Sequence, residues 1–393
     1  MSKILVEYER KSPSLDLTIE MLNKFISTYG GCITIKRIDE IRKSDLISND
    51  IIISIRGNSK GAYQVAKTAK KIGLLYYLLM DDNLFDTPPF YRYKKRVTYA
   101  NKIAQIADCI IVFNKFVSDL CKERFNCQCV QLDSICELNN FNIVKDNKKG
   151  ITKIVFAASA DHNLVFEKYI TPIMKNVERR ASTKIQFDFI GVSPKTASEI
   201  MEINYLLQMP IKKYREFIKK GQYDLGIAVI EDDYFSNCKY VNKFLEYTLS
   251  DIVGIYSDTS LYKQVIIDKF NGFLTKNTPE CWEEVLVYAI DNPSKVTECL
   301  VNAKEYVRQK HNSKLIIKKL NDYLPELETY RANIKVVNGI WKIQYAYFTF
   351  ALFEKINQFF HYLLSEGIYQ SLNKIIQRKK NKISYYSKKE AKK

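Results

Sequence analysis

The chain opens with short apolar runs alternating with longer amphipathic stretches. Residues 3–7 predict a strand. Residues 14–28 carry apolar positions at helical spacing and stop at Gly30 and Gly31, a pair that ends helices. Continuous apolar runs follow at 51–55 (IIISI), 74–79 (LLYYLL) and 109–113 (CIIVF), with helical patterns at 60–71 and about 93–107 between them. Strands apolar at every position, interleaved with helices, predict a parallel sheet covered on both faces.

A polar stretch, VKDNKKG at 144–150, breaks the pattern, and the alternation then restarts. Strands are predicted at 152–157, 185–190, 224–230 and 252–256. Helices are predicted at 163–179, 211–220, 239–249, 260–268, 279–291, 295–311 and 313–330. The expected class is α/β, with two Rossmann-like, doubly wound halves facing across a cleft. The boundaries are 1–148 and 149–330, with a helical extension at 331–393. In such sheets ligands sit beyond the carboxyl ends of the strands.

The extension begins with the aromatic run NGIWKIQYAYFTFALFEKINQFFHYLL, interrupted by Lys342, Glu354 and Lys355. No run of 18 apolar residues occurs, so no spanning helix is expected. The first ten residues read as a strand and not as a signal peptide, so a cytoplasmic location is expected. The net charge of +17 is uneven, because residues 331–393 hold 13 Lys/Arg against 3 Glu. That basic end follows aromatic residues Trp341, Tyr345, Tyr347, Phe348, Phe350, Phe353, Phe359 and Phe360. Together they predict peripheral docking on an anionic inner membrane face. Packing of the aromatic segment on the first half is the competing expectation. Nine scattered cysteines and three histidines show no zinc-type spacing, so no metal is expected. No G-x-G-x-x-G loop follows a strand, which excludes a dehydrogenase-type dinucleotide site. No nucleic-acid module accompanies the basic residues, so nucleic acid is not an expected partner.

Several segments of the second half together carry a resemblance. They are YDLGIAVIEDDYFSNCKYVNKFLEYTLSDIVGIYSD, NGFLTKNTPECWEEVL and NAKEYVRQKH. In their order they resemble bacterial family 4, group 1-like glycosyltransferases of the GT-B fold. LLYYLLMDDNLFDTPP in the first half is similar to a strand of one bacterial branch of that family. The resemblance spans roughly residues 3–330. It implies a hexosyltransferase-type enzyme of surface polysaccharide synthesis. Such an enzyme takes a nucleotide-sugar donor in its second domain and a glycan or lipid-linked acceptor in its first. It also implies retention of anomeric configuration, with no metal in the chemical step. Two positions depart from the pattern. Cys238 stands where many members carry a glutamate, and the loop AASADHN lacks their Arg or Lys. A catalytically degenerate, glycan-binding or partner subunit is therefore the alternative.

Candidate residues follow from the chemistry of holding a nucleoside diphosphate. Lys239, Asn242 and Glu246 share one stripe of the predicted helix 239–249, and Lys239 opens it. A carboxylate accepts both ribose hydroxyls, which suits Glu246. A cation beside a helix N-terminus suits the phosphates, a task for Lys239 with Lys243. Glu246 has a second reading, as an ion pair with Lys243. Ser257 and Asp258 end a strand at the cleft edge, or else cap the next helix. On the acceptor side stand Arg56, Asp81, Asp82 and His162. Asp81 and Asp82 have the chemistry of a general acid or base, while capping and surface roles are open to all four.

Overall fold

The computed structural model describes residues 2–86, 94–138, 150–158, 162–191, 196–200, 202–207, 209–334, 342–357 and 360. The first unit runs β1 (Lys3–Tyr8), α1 (Pro13–Tyr29), β2 (Cys32–Arg37), α2 (Lys43–Ile47), β3 (Ile51–Ile55), α3 (Lys60–Ile72), β4 (Leu75–Met80), α4 (Lys94–Ala104), β5 (Cys109–Val112), α5 (Lys115–Arg124) and β6 (Gln128–Gln131). The second runs β7 (Ile151–Ala157), α6 (Asn163–Tyr169), α7 (Met174–Arg180), β8 (Lys184–Ile190), α8 (Ala197–Ile200), β9 (Ile203–Leu206), α9 (Ile211–Gly221), β10 (Leu225–Ala228), α10 (Tyr234–Asn237), α11 (Asn242–Leu249), β11 (Val253–Ser257), β12 (Phe273–Thr275) and α12 (Pro279–Asp291). Helices α13 (Pro293–Lys310), α14 (Ser313–Tyr323), α15 (Glu326–Thr329) and α16 (342–357) close the described chain.

Among the described residues every strand pairing is parallel. The sheets have the orders β2-β1-β3-β4-β5-β6 and β12-β11-β10-β7-β8-β9. Strand order therefore reverses between β1 and β3 in one sheet and between β7 and β10 in the other. These reversals open crevices at the strands' carboxyl ends. The expected boundary near 148 falls in 139–149, outside the described residues.

Local chemistry sets the element ends. Ser12 caps α1 by accepting from Leu15 N, Pro13 enters at its first turn, and Gly30 at φ 82° ends it. Ser59 and Gly73 do the same for α3. Strands β3, β5, β10 and β11 are buried throughout, which explains their unbroken apolar runs. The predicted helix 163–179 is instead two helices, with a 3-10 turn around Pro172, whose ring cannot donate to the ladder. The predicted helix 260–268 is only a 3-10 turn, Tyr262–Gln264. The Asn271 side chain takes the Ile267 N–H (2.8 Å) and the Val265 carbonyl (2.8 Å), groups that a longer helix would use.

Although α14 and α15 follow the second sheet in sequence, they pack on the first. Ile316, Ile317, Leu320, Leu324 and Leu327 join Leu15, Leu22, Ile53 and Leu79 in one core. Burying five such side chains contributes roughly 10 kcal/mol gross, before the entropy of ordering is subtracted. Ser2 Oγ ties the start of the chain to this end, donating to the carbonyls of Glu326 (3.0 Å) and Tyr330 (3.1 Å). The aromatic segment divides into two faces. Ile343, Ala346 and Phe350 are buried on the first unit, Phe350 edge-on to Tyr99 at 5.6 Å. Arg96 of α4 holds this helix through both oxygens of Glu354, at 2.5 Å each. Trp341, Phe359 and the basic end at 361–393 lie outside the described residues. Among the described residues no helix is long and apolar enough to cross a membrane.

Candidate functional site

The carboxyl ends of the two sheets face each other across a cleft of about 490 Å³. Both strand-order reversals open into it. Pro13, Ser14 and Arg56 come from the first, and Ala157, Ala158, His162 and Val229 from the second. Asn114, the cap of α5, bridges the units. Its Nδ2 donates to the carbonyls of Asn237 (2.9 Å) and Lys239 (2.6 Å).

That bridge corrects the expected start of helix 239–249. Helix α11 begins at Asn242, with Val241 as its cap. A helix begun at Lys239 would turn that residue's carbonyl inward to its own fourth successor, but Asn114 already holds it. Lys239 therefore sits in the link between α10 and α11. Its Nζ lies 3.2 Å from His162 Nε2 and 5.8 Å from the Phe235 ring centre.

On the second-unit wall, Asn242, Lys243 and Glu246 of α11 all line the cleft. Glu246 accepts from Lys243 Nζ (2.7 Å) and from the Tyr214 hydroxyl (3.3 Å). Its two readings thus coexist, because the ion pair itself is in the cleft wall. Burial pulls the Lys243 ammonium down, but Glu246, Tyr247 and Tyr262 together outweigh it and the net shift is upward, so Lys243 stays charged.

The first-unit wall is an arginine between two aspartates. Arg56 leaves β3 with φ 55°, a left-handed conformation unusual for a side chain with a Cβ. Its guanidinium meets Asp81 at Nε (3.2 Å) and Asp82 at Nη2. Asp81 also accepts a short bond from Ser14 Oγ, at the start of α1. Burial and the neighbouring Asp81 push the Asp82 carboxyl up, against the pull of Arg56 and Lys239. An Asp so placed is a better proton acceptor than an exposed one.

Ser257 and Asp258 do not line the cleft. Ser257 is fully buried; its hydroxyl accepts from Ile230 N (3.0 Å) and donates to Asn277 Oδ1 (2.7 Å), fastening the exit of β10 to the segment after β12. Asp258 pairs with Lys263 at 2.9 Å. Cys238 is buried in the core of the first unit, within 3.9 Å of Asn83 Nδ2, and burial raises its thiol to about 11. A neutral thiol sealed there contributes no charge to the cleft.

Some lining residues escaped the sequence reading. Tyr214 bonds Glu246 and places its ring 5.5 Å from Lys243 Nζ. Tyr240 crosses the unit boundary, its hydroxyl accepting from Ser134 N (2.9 Å) and its ring edge-on to Phe113 at 5.7 Å. The spacing of Ile211, Tyr214 and Ile218 marks an inward helical face and so was visible. That this face reaches Glu246 was not.

No protein-family profile and no curated protein matches the sequence. The fold does match solved structures. Sucrose-phosphate synthase from Thermosynechococcus elongatus aligns over 84% of this chain and 100% of its own, with TM-score 0.60 and 10% identity. Anabaena HepE, solved with UDP and glucose, aligns over 83% and 100%, with TM-score 0.57 and 10% identity. The lipopolysaccharide outer core galactosyltransferase WaaB aligns over 83% and 99%, with TM-score 0.55 and 12% identity. The two parallel sheets and their flanking helices are those of a GT-B fold.

Proposed function

We propose that the chain is a glycosyltransferase that moves a sugar from a nucleotide-sugar donor to a saccharide or lipid-linked acceptor. The observation that carries this reading is the cleft with two unlike walls. One wall offers a carboxylate with cations, Glu246 with Lys243 and Lys239, and the other offers Arg56 between Asp81 and Asp82. The similar HepE has been solved with UDP-glucose, which supports a donor of that chemical class.

In this reading Glu246 accepts the ribose hydroxyls and Asn242 lines the same wall. Lys239 and Lys243 meet the diphosphate, and Lys239 stabilises the leaving charge as it grows. Fixed cations at a leaving group are usually the largest catalytic contribution in such chemistry. Asp82, with its proton affinity raised, accepts a hydrogen bond from the acceptor hydroxyl, and Arg56 and Asp81 position it. The reaction retains anomeric configuration and takes no metal in the chemical step. Donor in the second unit, acceptor in the first, and a setting in bacterial surface polysaccharide synthesis at the inner membrane face complete the proposal.

A screen of nucleotide sugars by thermal shift, followed by donor consumption with candidate acceptors, tests it. A donor that raises the melting temperature and is consumed supports transfer. The second reading, a binding subunit without turnover, is favoured by Cys238, a buried thiol where the resembling proteins carry glutamate. It predicts donor or glycan stabilisation with no consumption. No stabilisation by any nucleotide or nucleotide sugar refutes the donor site.

A further inference from the structure

Helix α16 buries one face on the first unit and leaves the opposite face in solvent. Tyr345, Phe348, Leu352, Ile356 and Phe360 are 61%, 66%, 48%, 44% and 56% exposed. At helical spacing the first four fall within one stripe, opposite Ile343, Ala346 and Phe350. A single exposed apolar residue needs no explanation, but a continuous stripe does. Beside it runs an open groove of about 410 Å³ between α16, the first residue of α3 and the length of α4. Lys60, Lys95 and Lys102 line it over Tyr99, Phe350 and Phe353, and no carboxylate is among its lining residues. Lys95 Nζ lies 3.3 Å from the centre of the Phe353 ring, and Lys102 Nζ lies 5.7 Å from that of Tyr99. Among the described residues no Asp or Glu forms an ion pair with any of the three lysines. The stripe and the groove share one side of α16, since Thr349 and Phe353 lie next to both.

We propose that this groove and stripe form a docking surface for an anionic lipid bilayer, with lipid phosphates against Lys60, Lys95 and Lys102 and the stripe in the interfacial zone. The inference deepens the membrane placement proposed above by naming the surface that makes it. Charge complementarity selects the occupant. An amphipathic helix with cations flanking an aromatic and aliphatic face fits a negatively charged interface. A second copy of the chain does not fit, because it would bring three lysines against three lysines in a protein of net charge +17. The 33 residues after Phe360 carry a further run of basic residues, whose charge adds to the same attraction.

The test is flotation of the full chain with vesicles of phosphatidylglycerol mixed with phosphatidylcholine, against phosphatidylcholine alone, each at low and at high salt. Two variants accompany it, Lys60→Gln/Lys95→Gln/Lys102→Gln and Phe348→Ser/Leu352→Ser. All five positions lie at the surface, and unchanged near-UV circular dichroism checks that both variants fold. The wild type is expected to float with the anionic vesicles only. The triple lysine variant should partition about a hundredfold more weakly, at about fivefold per lysine. The serine variant should lose the fraction of binding that survives high salt, since apolar insertion is not screened. Equal partition of both variants and wild type would assign binding to the basic end alone and overturn the proposal. So would equal partition onto neutral vesicles, absence of flotation, or concentration-dependent self-association abolished by Phe348→Ser/Leu352→Ser. No donor or acceptor is present in the assay, so its failure is separate from any failure of the transferase reading.

Discussion

Glu246→Gln separates the two roles that the geometry allows for this side chain. In the apo protein the amide oxygen still accepts from Lys243, so that hydrogen bond survives without the ion pair. The pair is partly exposed, with 27% and 18% of the Lys243 and Glu246 side chains accessible, so its loss costs about 1 kcal/mol of stability. Donor binding should suffer more. Hydrogen bonds to a charged acceptor are worth about 1.5–3 kcal/mol each and neutral ones about 0.5–1.5. Two ribose hydroxyls that lose the charge therefore cost about 2–3 kcal/mol, or roughly 30- to 150-fold in Kd. Calorimetric titration of the best-stabilising nucleotide into wild type and variant measures this directly, and thermal melts of the apo proteins supply the control. A variant whose Kd stays within about threefold of wild type, with melting lowered as expected, would leave Glu246 only its ion pair with Lys243.

Lys239→Ala should cost less in donor affinity than in turnover, because leaving-group charge grows only in the transition state; equal losses in KM and kcat would remove it from that step. Cys238→Glu, which introduces the residue that many of the resembling glycosyltransferases carry there, should destabilise the protein by several kcal/mol, because the site is sealed in the core of the first unit; a soluble variant melting as wild type would show the site to be open. Glu7 gives a pH signature. Fully buried, it is raised to about 7 from 4.5, chiefly by desolvation, while the Tyr76 hydroxyl at 2.6 Å holds it in place. A raised carboxyl contributes its stability fully below about 4.5 and loses it as pH climbs through 7. Glu7→Gln should therefore gain on wild type by up to about 3 kcal/mol between pH 4.5 and pH 8; urea melts at the two pH values showing a constant difference would refute it.

The alternation of apolar runs was enough to predict the buried strands. β3 (IIISI) and β5 (CIIV) are covered on both faces, so every position carries the signal. The edge strands β2, β6 and β9 were missed for the complementary reason. CITIKR, QCVQ and INYL are half exposed, short and mixed in polarity, and only their neighbours define them. At the site, the sequence pointed to Glu246, Asn242 and Lys243 because they share one helix. Arg56, Asp81 and Asp82 were found as strand ends. That Arg56 lies between the two aspartates depends on β3 and β4 being adjacent, which no local pattern encodes. Ser257 was misplaced because a polar residue at a strand end looks the same whether it meets solvent or a buried asparagine. The helix is expected about one turn too early, at Lys239 instead of Asn242, because Asn114, 125 residues away, holds the Lys239 carbonyl.

The return of α14 and α15 to the first sheet has a consequence for synthesis. The core face formed by Leu15, Leu22, Ile53 and Leu79 receives its cover from residues 316–327. The second sheet must be made in between. At ribosomal rates of about 5–20 residues per second, some 190 residues separate β6 from that cover, a delay of roughly 10 to 40 seconds. During that interval the face of the first sheet that carries α1 lacks the cover of residues 316–327, while the second unit has all its strands from β7 onward available to fold as they emerge. The half made first is thus finished last.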